Sequence, residues 1–292
     1  MEPKQELLNF QSTKEFFIGI DSDGCAFDTM EIKHKECFCP NFIYHFNLQN
    51  ISKYAREAWD FVNLYSKTRG CNRFHALLYA VELLGKRKEV MARNAKLPDM
   101  TPLIEWTKKE SKLAEPILDK YVKENHAPVL EQALRWSKSL NKDIEEMVFG
   151  IPPFPNMRES LAKMQSKADV IVVSQTPAEA LIREWQEHDI AKYVRLICGQ
   201  EFGTKTEHLK YVAKGKYADN KILMIGDAPG DLKAAKDNNV LYFPINPGHE
   251  EKSWERFYTE ALDKFFAGTY EGAYEKSLID EFNTYLPEKP IW

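Results

Sequence analysis

No run in these 292 residues stays apolar for the roughly 20 positions that a helix needs to cross a bilayer. The amino terminus, Met1-Glu2-Pro3-Lys4-Gln5-Glu6, is acidic and lacks the apolar core of a secretory signal. Cysteine is sparse: the five residues Cys25, Cys37, Cys39, Cys71 and Cys198 are an odd number without a paired framework, which excludes a disulfide scaffold and fits cytosolic thiols. His34, Cys37 and Cys39 lack a fourth ligand at finger-like spacing, so they make no zinc site. Positive charge is not in excess, since a net charge of -4 and a pI near 6.0 leave no general basic field for nucleic acid. These absences point to a cytoplasmic protein that acts on neither membrane nor nucleic acid and takes a small molecule as its partner.

What is present is enough apolar material, 43% of the residues, to bury a substantial core in two units. Its most telling feature is the end of one apolar run, Phe16-Phe17-Ile18-Gly19-Ile20-Asp21-Ser22-Asp23-Gly24. The run suits a buried strand. In open parallel sheets the carboxyl ends of strands face the ligand crevice, so Asp21 and Asp23 arrive at a site. Burying two anions together is costly without a cation between them, so the pair asks for a metal.

Three later segments supply what that pair lacks. Val170-Ile171-Val172-Val173 runs into Ser174, whose hydroxyl can hold a phosphoryl oxygen, while Thr176 is expected to cap the helix that follows. Lys205, just after Gly203-Thr204, precedes a helix-like stretch and offers an ammonium group; Lys210 and Lys214 follow closely. Ile222-Leu223-Met224-Ile225 ends in Gly226-Asp227-Ala228-Pro229-Gly230-Asp231, two further carboxylates at a turn into a helix. Acids there also suit the positive end of the helix dipole.

This ordered set resembles the haloacid dehalogenase superfamily, and Asp21-Ser22-Asp23-Gly24-Cys25-Ala26-Phe27-Asp28 looks like the opening of its phosphoglycolate phosphatase and beta-phosphoglucomutase branch. The resemblance covers residues 16–28 and about 150–247, and each motif alone is common while four in order are specific. It implies a magnesium-dependent phosphohydrolase that cleaves a small phosphomonoester through an aspartyl-phosphate intermediate. Asp21 would be the nucleophile and Asp23 the acid that protonates the leaving alkoxide and later the base for water. Magnesium would be held by Asp21, the backbone carbonyl of Asp23, and Asp227, with Asp231 close behind. Gly24, lacking a side chain, would leave backbone amides accessible to the phosphate. The dehalogenases and phosphonate-cleaving relatives lack an acid at the position of Asp23, so its presence favours phosphate esters. A phosphomutase of the beta-phosphoglucomutase type would use the same residues, and a non-catalytic phosphate-binding or scaffolding protein would have little reason to keep them all.

The expected architecture is α/β, a Rossmann-like parallel sheet (residues 1–28 and 150–292) with an all-helical cap inserted at residues 29–149. Strands are expected at 16–20, 170–174, 194–198, 222–226 and 240–244. Within the insert, Ile51, Tyr54, Ala55, Ala58, Trp59, Val62 and Tyr65 follow the spacing of one buried helical face. Asn72 should cap the next helix and Gly85 stop it, Thr101-Pro102 opens another, and a long one runs from about Pro128 to Met147. Trp59 and Trp136 read as core anchors. Arg69 and Arg73, on a basic turn, could read an acidic substrate tail or stand as helix-end cations. The apolar tail containing Trp254, Phe257 and Phe265 should pack on the core or join two copies, so either a monomer or a homodimer is expected.

Overall fold

The five expected strands all form, and all are parallel. They are β1 (Phe16–Ile20), β2 (Ala168–Val173), β3 (Leu196–Cys198), β4 (Ile222–Gly226) and β5 (Leu241–Pro244), in the order β3-β2-β1-β4-β5. The computed structural model describes residues 3–292; Met1 and Glu2, the start of the acidic amino terminus, lie outside the described residues. The chain divides into two compact units, Met1–Met30 with Gly150–Leu286, and Glu31–Phe149 with Pro287–Trp292. Among the described residues, no helix is long and apolar enough to cross a membrane.

The sheet explains why its strands read as unbroken apolar runs. Ile18, Ile20, Val170, Val172, Leu223 and Ile225 face one hydrophobic cluster, while Phe17, Ile171, Val173, Ile222 and Met224 face another. With both faces covered by helices, the alternation of a half-exposed strand disappears. The tail residues Trp254, Phe257, Leu262 and Phe265 are buried in the first of these clusters, against the sheet of their own chain. From β1 the chain builds outward to β2 and β3, then returns to place β4 and β5 on the other side of β1. That reversal is the topological switch point where open α/β sheets bind their ligands.

The second unit is helical between residues 31 and 149. Its core gathers Phe38, Phe42, Trp59, Phe74, Trp106 and Trp136, with the Trp59 and Trp136 rings 5.8 Å apart and edge to face. Ser52–Asn63 buries Tyr54, Ala55, Ala58, Trp59 and Val62 of the expected face; Ile51, also buried, precedes the helix, and Tyr65 lies beyond its end and is half-buried. The Asn72 side chain accepts from Phe74 N at 3.0 Å at the head of Arg73–Lys86. Gly85 does not end that helix, which continues to Lys86. Burial of Leu77, Ala80, Val81 and Leu84 along its inner face outweighs the roughly 1 kcal/mol that a helical glycine costs. The Arg87 guanidinium lies between the Tyr54 and Trp292 rings, 4.5 Å from each centroid.

Candidate active site

Asp21 and Asp227 leave the sheet side by side, because Ile20 pairs with Ile225 and the Asp21 amide continues the ladder to the Ile225 carbonyl at 3.0 Å. Both are buried. Asp231 comes from the first turn of the helix Pro229–Asp237, where its Oδ2 accepts the Ala228 N–H at 3.1 Å and satisfies a donor that the helix start leaves open. Gly226 allows this approach: a Cβ there would stand 2.4 Å from the Cβ of Asp231. One carboxylate oxygen from each of Asp21, Asp227 and Asp231 lies within 4.8 Å of the other two.

The ammonium group of Lys205 meets this acidic cluster. Lys205 opens the helix Lys205–Val212, whose start is set by a capping box: Thr204 Oγ1 accepts from Glu207 N, and Glu207 accepts from Thr204 N. From there the Lys205 Nζ reaches Asp21 Oδ2 at 2.8 Å and Asp231 Oδ1 at 2.6 Å. Lys214 instead pairs with Asp219, so Lys205 is the lysine that the fold brings to the acids. Burial pushes the Asp21 carboxyl well above the usual carboxylate range; Lys205 opposes the rise, while Asp231 and Asp227 add to it. Burial would lower Lys205, yet Asp21 and Asp231 outweigh it and raise its pKa. Three carboxylates around one ammonium leave the pocket short of positive charge.

Ser174 is the first residue beyond β2, buried, with its N–H on the Cys198 carbonyl at 3.0 Å. Here one expectation reverses. The helix Ala178–Glu187 takes no cap from Thr176, its first N–H going to Glu201 Oε2 at 3.0 Å; Ser174 Oγ accepts the Thr176 N–H at 3.2 Å, and Thr176 Oγ1 donates to Asp23 Oδ2 at 2.6 Å. The other Asp23 oxygen accepts the Thr29 hydroxyl. Ser174 keeps its own hydroxyl proton for a ligand. Gly24 has a φ of +73°, and its N–H is committed to the Phe27 carbonyl at 2.8 Å. Its missing side chain therefore supplies a turn angle rather than an open donor.

Ser22, between the two aspartates, faces away from them. Its hydroxyl accepts from Trp185 Nε1 at 3.0 Å and donates to Glu184 at 3.2 Å, which anchors the turn to the helix Ala178–Glu187. Trp254 Nε1 donates to the Cys25 carbonyl at 2.7 Å and anchors the turn to the tail. No sequence motif marks Thr29, Thr176, Trp185 or Trp254 for these tasks, because each partner lies far along the chain or is an ordinary hydroxyl. Arg69 and Arg73 are engaged within the helical unit: Arg69 donates to the Leu64 carbonyl at 2.9 Å, and Arg73 to Asn141 Oδ1 at 2.6 Å and Ser137 Oγ at 3.2 Å.

Residues 101–244 match the model of the haloacid dehalogenase-like hydrolases. No curated protein matches the chain. Among solved structures, it is similar to a haloacid dehalogenase-like family hydrolase from Streptococcus pneumoniae, at 14% identity and a TM-score of 0.44 over 85% of this chain and 92% of that one. A haloacid dehalogenase-like family hydrolase from Xanthomonas campestris gives 9% identity and a TM-score of 0.46 over 90% and 97%. A subfamily IA hydrolase from Geobacter sulfurreducens gives 13% and 0.41 over 80% and 89%.

Proposed function

We propose that this chain, whose residues 101–244 match the haloacid dehalogenase-like hydrolases, is a magnesium-dependent phosphohydrolase acting on a small phosphomonoester through a phosphorylated Asp21. The observation that carries this reading is the meeting of Asp21, Asp227, Asp231 and Lys205 at the carboxyl ends of β1 and β4. The donor set suits the metal: hard carboxylate oxygens, buried and in charge deficit, match a small oxygen-seeking dication. Asp21, the Asp23 carbonyl and Asp227 would hold it, with Asp231 behind them because its oxygens already serve Lys205 and the Ala228 amide. Bound there, magnesium supplies the positive charge that lets a phosphate dianion approach the carboxylates.

The chain's own groups then divide the work. Lys205 holds Asp21 Oδ2 and leaves the other oxygen to attack phosphorus in line. Ser174 donates its hydroxyl to a phosphoryl oxygen. Asp23, as the acid, gives its proton to the departing oxygen; as a carboxylate, it then takes a proton from the water that attacks the phosphoaspartate, restoring both groups.

The test is a broad panel of phosphate esters with and without magnesium, repeated with excess chelator and with Asp21→Asn. Magnesium-dependent phosphate release by wild type, absent in the variant, supports the reading. Release that survives Asp21→Asn, or none from any ester, overturns it.

A further inference from the structure

The acid–base carboxylate is gripped by two hydroxyls from distant parts of the core unit. Thr29 donates to one oxygen of Asp23 and Thr176 to the other, the latter at 2.6 Å. Thr176 is itself fixed on three sides. Its N–H is held by Ser174 Oγ and its carbonyl by the Gln200 N–H, at 3.2 and 3.1 Å. Gly199 packs so closely that a Cβ there would stand 2.6 Å from the Thr176 carbonyl oxygen. Its hydroxyl is not used as a helix cap. Thr29, by contrast, is the last residue but one before the chain passes into the helical unit.

We propose that Thr176 is a positioning residue for leaving-group protonation, its hydroxyl fixing the direction in which Asp23 presents its proton. The inference rests on the phosphohydrolase reading. In the step concerned, an Asp21 oxygen bonds to phosphorus, the bond from phosphorus to the leaving oxygen breaks, and that oxygen takes the proton of the Asp23 carboxyl group, leaving Asp23 ionised. With Thr176 donating to Oδ2 and Thr29 to Oδ1, the plane of the Asp23 carboxyl group is fixed, and its transferable proton takes a lone-pair direction that neither hydroxyl occupies. A carboxyl group free to rotate would spend much of its time with the proton turned away.

The experiment compares kcat/KM for p-nitrophenyl phosphate, whose leaving group departs without a proton, with that for phenyl phosphate, whose leaving group needs one. Both are assayed with magnesium in wild type, Thr176→Val and Thr176→Ser. Thr176→Val should lose roughly 10- to 100-fold more on phenyl phosphate than on p-nitrophenyl phosphate, a part of the roughly 10²- to 10⁴-fold that general acid catalysis supplies. Thr176→Ser, which restores the hydroxyl, should return most of that difference. Equal losses on both esters, no loss, or a Ser variant as impaired as Val would overturn the proposal while leaving the phosphatase reading intact. If Thr176→Val fails to fold, judged by its thermal transition, Thr176→Ala carries the same comparison. Wild type inactive on both esters and on the broader panel removes the phosphatase reading, and this proposal with it.

Discussion

The two ends of the sheet bury the same kind of residue in opposite ways. At the amino end Asp169, paired with Phe17 across β1 and β2, is 1% exposed. It accepts from Thr13 N at 2.7 Å, Thr13 Oγ1 at 2.6 Å, Lys14 N at 3.0 Å, Tyr217 Oη at 2.6 Å and Arg195 Nη1 at 2.8 Å. Burial pushes this carboxyl up, but the hydrogen bonds from Thr13, Tyr217 and Lys14 overcome it and hold the pKa below the usual value. At the carboxyl end Asp21, equally deep, shares one ammonium group with Asp231 beside a third acid, and its pKa rises. Burial therefore does not set a carboxylate's state; the supply of donors does. The protein completes the amino end with its own groups and leaves the carboxyl end short, as the proposed binding of a cation and a phosphate requires.

The largest expected effects come from removing one acid at each end. Asp21→Asn should lower phosphate release by about 10⁴-fold, as losses of a covalent nucleophile do. It should leave the metal-free protein as stable as wild type or more so, because it takes one charge out of a crowded cluster. Asp169→Asn should do the reverse and lose roughly 3 kcal/mol of unfolding free energy in denaturant titrations, since four sets of donors lose their anion. Specific activity of the folded fraction should hardly change. A destabilised Asp21→Asn or an unperturbed Asp169→Asn would break the contrast.

Ionisation sharpens it further. A carboxyl group whose folded pKa is depressed contributes stability that is fully present above its unfolded value, about 3.9, and is lost as pH falls through the folded value. The stability gap between wild type and Asp169→Asn should therefore be complete at pH 7 and close as pH falls below about 4, followed by denaturant midpoints across that range. At the other end magnesium should stabilise wild type by up to about 2.7 kcal/mol at a hundred times its dissociation constant. That gain should fall sharply in Asp227→Asn and persist in Asp169→Asn, measured as shifts in thermal midpoint with and without the ion.

The same contrast explains what could be read from the chain. β1 and β4 were legible residue for residue because burial on both faces makes them continuous apolar runs. β2 begins earlier than its apolar run, at Ala168, because Asp169 is a strand residue whose donors lie as far as 156 positions away. No local pattern announces that a buried charge will be satisfied from such a distance. The motif acids and Lys205 were legible from order and spacing, with Lys205 set apart by the Gly203-Thr204 before it. Thr176 is hard to read for a like reason: near Pro177 its hydroxyl looks like a helix cap, and only the fold reveals Asp23, 153 residues away. Arg69 and Arg73 looked available because the sequence does not reveal Leu64, Ser137 and Asn141 as their acceptors.

The smallest effect separates the two kinds of end most finely, because it can be matched outside the site. Thr204 and Asn72 each cap a helix by accepting a backbone N–H, at 3.2 Å from Glu207 and 3.0 Å from Phe74. Either residue changed to alanine should cost about 1 kcal/mol of stability. Asn72 caps a helix of the insert whose first residue, Arg73, is bound to Ser137 and Asn141, so Asn72→Ala should end there. Thr204 caps the helix whose first residue is Lys205, which pairs with Asp21 at 2.8 Å. When that first turn frays, the ammonium loses its fixed distance to Asp21 and Asp231, so Thr204→Ala should also raise KM for the preferred ester by a few-fold. Equal stability losses with a KM change in Thr204→Ala alone would show that the cap matters to the site through the lysine it steadies. A KM change in both would assign it to general loosening.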